Sequence, residues 1–98
     1  MKDKLLEIIN HYGVLPQLKY WQSEVFELSE EIIEFEYDEY YYYEPVAEQH
    51  KKHITEEIAD VLVMLSQFQH YYDITDEQIK EVMEQKIDRQ LERIANEK

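Results

Sequence analysis

Two short stretches hold the residues best suited to chemistry: ELSEEIIEFE, residues 27–36, and HITEEIADVLVMLSQF, residues 53–68. In the second, every residue from Ile58 to Leu65 is apolar except Asp60, and Glu57 lies three residues before it. Positions i and i+3 of a helix share a face one turn apart. The apolar surroundings predict a central helix, where an ionised carboxylate is costly unless it is paired or binds a metal. No Lys or Arg lies between Ile54 and Ile79, so compensation has to come from another helix, another copy or a cation. In the first stretch Glu27, Glu31 and Glu34 fall within about 60° of one another at 100° per residue, with Glu30 one step further round. Antiparallel packing of the two helices predicts Glu31 and Glu34 facing Glu57 and Asp60 across one groove. Four carboxylates without a base make a hard-oxygen site suited to Mg²⁺ or Mn²⁺, and Mg²⁺ typically sits between carboxylates and substrate phosphates. For most of the other acids a solvated surface is the ordinary role.

Four helices are needed to position these groups. The first is expected over Lys2–Tyr12, where Leu5, Leu6, Ile8, Ile9 and Tyr12 recur at helical spacing and Gly13 supplies a stop. The second starts near Pro16, a good first-turn residue, and carries an apolar stripe of Leu18, Trp21, Val25, Leu28, Ile32 and Phe35 to at least Glu36. The third is expected over His53–Tyr72. The fourth starts at Thr75, which forms a capping box with Gln78, and buries Ile79, Val82, Met83, Ile87, Leu91 and Ile94. Between the second and third helices, Tyr40–Tyr43 suits a frayed helix end or a β-prone segment; local packing is the ordinary role of such tyrosines, and a partner-contact patch is the alternative. Glu44-Pro45 predicts a break. There are no repeats and no Gly/Ser linker. The expected architecture is one all-α domain over residues 1–98, a small four-helix bundle.

Composition narrows the function classes. The 98 residues include 23 acids and 10 bases, for a net charge of −13. That argues against neutralising nucleic-acid phosphates, which needs clustered Lys and Arg. With no cysteine there is no thiol chemistry. No apolar run spans a bilayer and the first residues lack a signal-peptide core, so a cytoplasmic protein is expected. A chain this short makes a marginal monomer, so self-association is expected. On the fourth helix Lys86, Gln90 and Arg93 form one stripe at i, i+4 and i+7, able to contact successive phosphate oxygens. Gln17, Tyr20 and Trp21 precede the acidic stretch. An aromatic there can stack on a base, although Trp21 lies on the apolar stripe and suits the core; which residues bind a base stays open.

Taken together, EEIIE (Glu30–Glu34), 22 intervening residues and EIAD (Glu57–Asp60) resemble the EExxE…ExxD motif of the MazG-like all-α nucleoside triphosphate pyrophosphohydrolases. The lead-in GVLPQLKYWQSEVFELSEEIIEF is also similar to that of small MazG-like proteins, and Lys86, Gln90 and Arg93 to the family's trailing Lys…Asn…Arg. The resemblance spans roughly Gly13 to Ile94. Gln90 stands where the family often has Asn, and Ile33 where many members have a small residue. The resemblance implies Mg²⁺-dependent cleavage of a nucleoside triphosphate between the α and β phosphates. It also implies a homodimer or homotetramer with sites near subunit contacts. A carboxylate not fully used as a ligand then activates water, with Glu27, Glu30 and Glu34 as candidates. Lys86 and Arg93 stabilise phosphate charge.

Four rival readings stand beside this one. A di-iron bundle needs Glu-x-x-His on two helices, which this sequence lacks. His50, His53 and Glu57, at i, i+3 and i+7, suit Zn²⁺ or Ni²⁺. A non-enzymatic acidic protein binding a basic partner explains the charge but neither Asp60 nor the Lys86/Arg93 stripe. A histidine-biosynthesis pyrophosphohydrolase on the same fold shares the chemistry with a different substrate.

Overall fold

A computed structural model describes residues 1–38 and 43–97, so Tyr40, Tyr41 and Tyr42 of the tyrosine run lie outside the described residues. Four helices follow in order: α1 (Lys2–Tyr12), α2 (Val14–Tyr37), α3 (Glu44–Tyr71) and α4 (Asp76–Asn96). Among the described residues there is no strand.

Leu5 and Ile9, one turn apart, are the buried residues of α1. Gly13 joins α1 to α2 at φ 93°, ψ 156°, a conformation open to glycine and strained for an L side chain. α2 begins two residues before Pro16, which still falls in the first turn, where backbone N–H groups have no helical partner to lose. α3 starts at Glu44, nine residues earlier than periodicity predicts. Pro45 opens this helix instead of breaking a preceding one, because its fixed φ suits the first turn. Tyr43, the N-cap, is exposed. Thr75 and Gln78 form the expected capping box: Gln78 N donates to Thr75 Oγ1 at 3.1 Å and Thr75 N to Gln78 Oε1 at 2.8 Å.

α3 packs against both α1 and α2, and α1 also touches α2. Among the described residues α4 packs against none of them. It leaves the turn after α3 at an angle fixed by Gln69 Nε2, which donates to Ile74 O at 3.1 Å and Asp76 Oδ1 at 2.7 Å. The expected burial of the α4 stripe is not met within one chain: Val82, Met83, Ile87, Leu91 and Ile94 are all exposed. Nor is α3 covered all round, since Ile58, Leu62 and Leu65 face outward and Asp60 is exposed. Leu5, Ile9 and Met64 are the only buried apolar residues among those described. The accessible surface is 8373 Å², where a compact monomer of 12.1 kDa exposes about 6,000 Å². The radius of gyration is 17.2 Å, against about 13 Å for a compact chain of this length.

Candidate metal centre

Along α2 and its C-cap the shielded positions are 14, 17, 21, 24, 25, 28, 31, 35 and 38, which apart from Val25 alternate steps of three and four. This line is rotated from the stripe expected from hydropathy: Leu18 and Ile32 are exposed, while Gln17 and Glu24 are buried. The seam therefore puts polar residues 17, 24 and 31 among Trp21, Leu28 and Phe35. α3 runs antiparallel against it, and the polar positions meet in pairs seven residues apart. Gln17 Nε2 donates to Gln67 Oε1 at 2.8 Å. Glu24 meets Asp60. Glu31 Oε1 lies 3.1 Å from His50 Nδ1 and 3.5 Å from His53 Nδ1.

The middle pair is the centre of the site. Glu24, Glu57 and Asp60 each bring a carboxylate oxygen within 4.8 Å of the others. Glu24 is 6% exposed and Glu57 is half-buried. Oε2 of Glu24 and Oε2 of Glu57 are both sealed from solvent without a hydrogen-bond partner. Burial pushes the Glu24 carboxyl above its ordinary range. The Tyr20 hydroxyl beside Glu24 works against this, while the charges of Glu27 and Asp60 add to the rise. Glu57 is raised by burial first, then by the charges of Glu27, Glu24, Asp60 and Glu31. Tyr20 is raised in turn, chiefly by its hydrogen bond to Glu24. Two carboxyls held above their ordinary range by burial and by neighbouring carboxylates are what a cation would relieve. The donor set, all oxygen and without a base, fits Mg²⁺ or Mn²⁺.

The structure brings Glu57 and Asp60 together, as expected, but their partner from α2 is Glu24. Glu31 and Glu34 lie two turns further along, outside the three-carboxylate group. Glu31 is engaged with the two histidines, and Glu34 lines a groove with Ile33, Tyr37, Asp38 and His50. Glu30 is exposed. Glu27, acting electrostatically on both Glu24 and Glu57, is the nearest further carboxylate. The sequence reading missed Glu24, whose signal was its 3–4 spacing with Gln17, Trp21, Leu28 and Glu31. His50 and His53 do not join Glu57; His50 instead spans Glu31 and Asp38, with Nε2 2.9 Å from Asp38 Oδ2 and the ring tilted on Phe35. Those bonds to Asp38 and then Glu31 hold its pKa above the usual imidazole value. Lys86, Gln90 and Arg93 are exposed on α4, and within one chain that helix does not pack against α2 or α3.

No family model matches the chain, and comparison with curated proteins and with solved structures finds no match either. No helix is long and apolar enough to cross a membrane among the described residues.

Proposed function

We propose that this chain is a divalent-cation-dependent nucleoside triphosphate pyrophosphohydrolase, giving a nucleoside monophosphate and pyrophosphate. The observation that carries the reading is the pair of sealed, unpartnered oxygens on Glu24 and Glu57 beside Asp60. An acidic surface protein has no use for carboxylates buried against one another, whereas a cation site requires them. The ExxD half of the resembling motif, Glu57–Asp60, lies at this centre. Its partner on α2 is the equivalent face two turns upstream, with Glu24 and Glu27 in place of Glu31 and Glu34.

Glu24, Glu57 and Asp60 would hold Mg²⁺ or Mn²⁺. When bound, the ion neutralises phosphate charge and polarises the reacting phosphorus. Of the three candidates for accepting the proton of the attacking water, Glu27 is better placed than Glu30 or Glu34, because it lies beside Glu24 and Glu57. Lys86, Gln90 and Arg93 contact the phosphates from a second copy in a homodimer or homotetramer, since within one chain α4 stands clear of α2 and α3. The test is pyrophosphate release from a panel of ribo- and deoxynucleoside triphosphates with and without Mg²⁺. Mg²⁺-dependent release from at least one member is expected. No release by folded protein across the panel overturns the reading in favour of an acidic binding protein.

A further inference from the structure

A cleft of about 460 Å³ opens where α1, α2 and α3 meet. Tyr12 and Tyr20, both exposed, stand along it, and Gln17, Met64 and Gln67 line its depth. Gln17 is 8% exposed and Gln67 is 1% exposed. Burying two primary amides is costly unless they are hydrogen-bonded. Gln17 Nε2 donates to Gln67 Oε1 at 2.8 Å, and both side-chain nitrogens reach Met64 Sδ, at 4.0 Å and 3.7 Å. Gln17 Oε1 accepts no hydrogen bond among the described residues, yet it is not one of the sealed, unpartnered atoms. It is therefore an unpaired acceptor that keeps some solvent exposure, on a side chain that lines the cleft and is oriented by its buried neighbour.

The cleft shares a wall with the carboxylate centre. Tyr20 lines it and also acts electrostatically on Glu24. Gln17 precedes Glu24 by seven residues and Gln67 follows Asp60 by seven, so the amide level lies about 10 Å along the paired helices from the carboxylate level. That is comparable to the reach from the phosphates of a nucleotide to the edge of its base. A cleft of this volume with few polar groups suits a flat heteroaromatic ring.

Resting on the pyrophosphohydrolase reading, we infer that this cleft is the base subsite of the same site, in which the nucleobase packs against Tyr12 and Tyr20 and gives an N–H on its edge to Gln17 Oε1. Gln67 is a positioning residue, holding the Gln17 amide by accepting its N–H.

The test compares wild type, Gln17→Leu and Tyr12→Ala with Mg²⁺ and four ribo- and four deoxynucleoside triphosphates, together with inhibition by inorganic triphosphate, which carries no base. For Gln17→Leu the KM of the preferred nucleotide is expected to rise about tenfold, and the kcat/KM ratio between best and worst bases to fall towards one. The inhibition constant of inorganic triphosphate should move less than about twofold, because the triphosphate lies at the carboxylate level. Tyr12 is exposed, so its truncation spares the fold and should raise the same KM about fivefold. Base selectivity kept in both variants, or a wild type indifferent to the base, overturns the subsite while leaving the pyrophosphohydrolase reading intact. An equal rise in KM and in the triphosphate inhibition constant assigns Gln17 to the fold and also overturns the subsite. A wild type that releases no pyrophosphate from any nucleotide overturns both readings.

Discussion

Glu24 places a carboxyl at a buried seam position, and its Oε2 has no hydrogen-bond partner among the described residues. Replacing it with Gln removes the charge at nearly constant shape. Glu24→Gln should therefore melt several degrees above wild type in Mg²⁺-free buffer at pH 8, since relief of about 1 kcal/mol shifts a domain of this size by about 4–8 °C. The same variant should lose the melting-temperature rise that millimolar Mg²⁺ gives wild type, and with it pyrophosphate release. Asp60→Asn should abolish turnover while leaving helicity unchanged by circular dichroism. Glu31→Gln should keep most of the Mg²⁺-induced rise, because Glu31 lies outside the three-carboxylate group. If Glu31→Gln loses that rise and Glu24→Gln keeps it, the level assigned to the metal is wrong. The titration behaviour follows from the same two carboxyls. Folded values raised above 4.5 for Glu24 and Glu57 mean that the folded state binds these protons more tightly than the unfolded chain. Their contribution is present at low pH and lost as pH climbs through the folded values. Metal-free protein should lose melting temperature as pH rises from 5, and saturating Mg²⁺ should remove most of that loss by taking the place of the protons. A metal-free profile that rises over this range would contradict the convergence.

The helices themselves were largely legible in the sequence. Apolar spacing located all four, and Thr75 with Gln78 marked the start of α4. The level along a helix was not legible. A step of seven residues turns the helix by about 700°, nearly back to the same face. Glu24/Glu27 and Glu31/Glu34 are thus almost equivalent by angle, and the choice depends on how α2 slides against α3. That register is set by pairs distant in sequence, such as Gln17 with Gln67, which no local pattern displays. Pro45 was misread for a related reason: a proline ends one helix or begins the next, and only the packing of the residues after it decides. The His50 clamp belongs to this scale, since it ties the end of α2 to the first half of α3 through Glu31 and Asp38. Its raised pKa means that the clamp contributes most below pH 6.5 and less as pH rises through the folded value. His50→Gln should increase amide hydrogen exchange near residues 31–37 and 44–50 at pH 6, with little change around Glu24. It should also remove the fall in stability above pH 6.5 that Mg²⁺ leaves in wild type. Unchanged exchange at both helix ends would mean that the clamp is not holding them.

For the whole molecule the deciding quantity is surface. One chain exposes about 2,300 Å² more than a compact protein of its mass, and its radius of gyration is correspondingly large. Obligate homodimers bury roughly 2,000–5,000 Å² in total, half of it on each copy, so the excess matches one generous interface. Two bare apolar surfaces are available to form it. One is the α4 stripe of Val82, Ile87, Leu91 and Ile94, and the other is the outer side of α3 at Ile58, Leu62 and Leu65. Laying α4 of one copy on α3 of another covers both at once and satisfies twofold symmetry. It also carries Lys86, Gln90 and Arg93 towards the helix that holds Glu57 and Asp60. Light scattering should accordingly give a mass at least double 12.1 kDa at micromolar concentration. Ile87→Glu combined with Leu91→Glu should yield monomer, lower the melting temperature and abolish pyrophosphate release, although neither residue belongs to the carboxylate centre. A double variant that is monomeric yet fully active would show that one chain carries a complete site, and that the phosphate contacts come from somewhere other than α4 of a second copy.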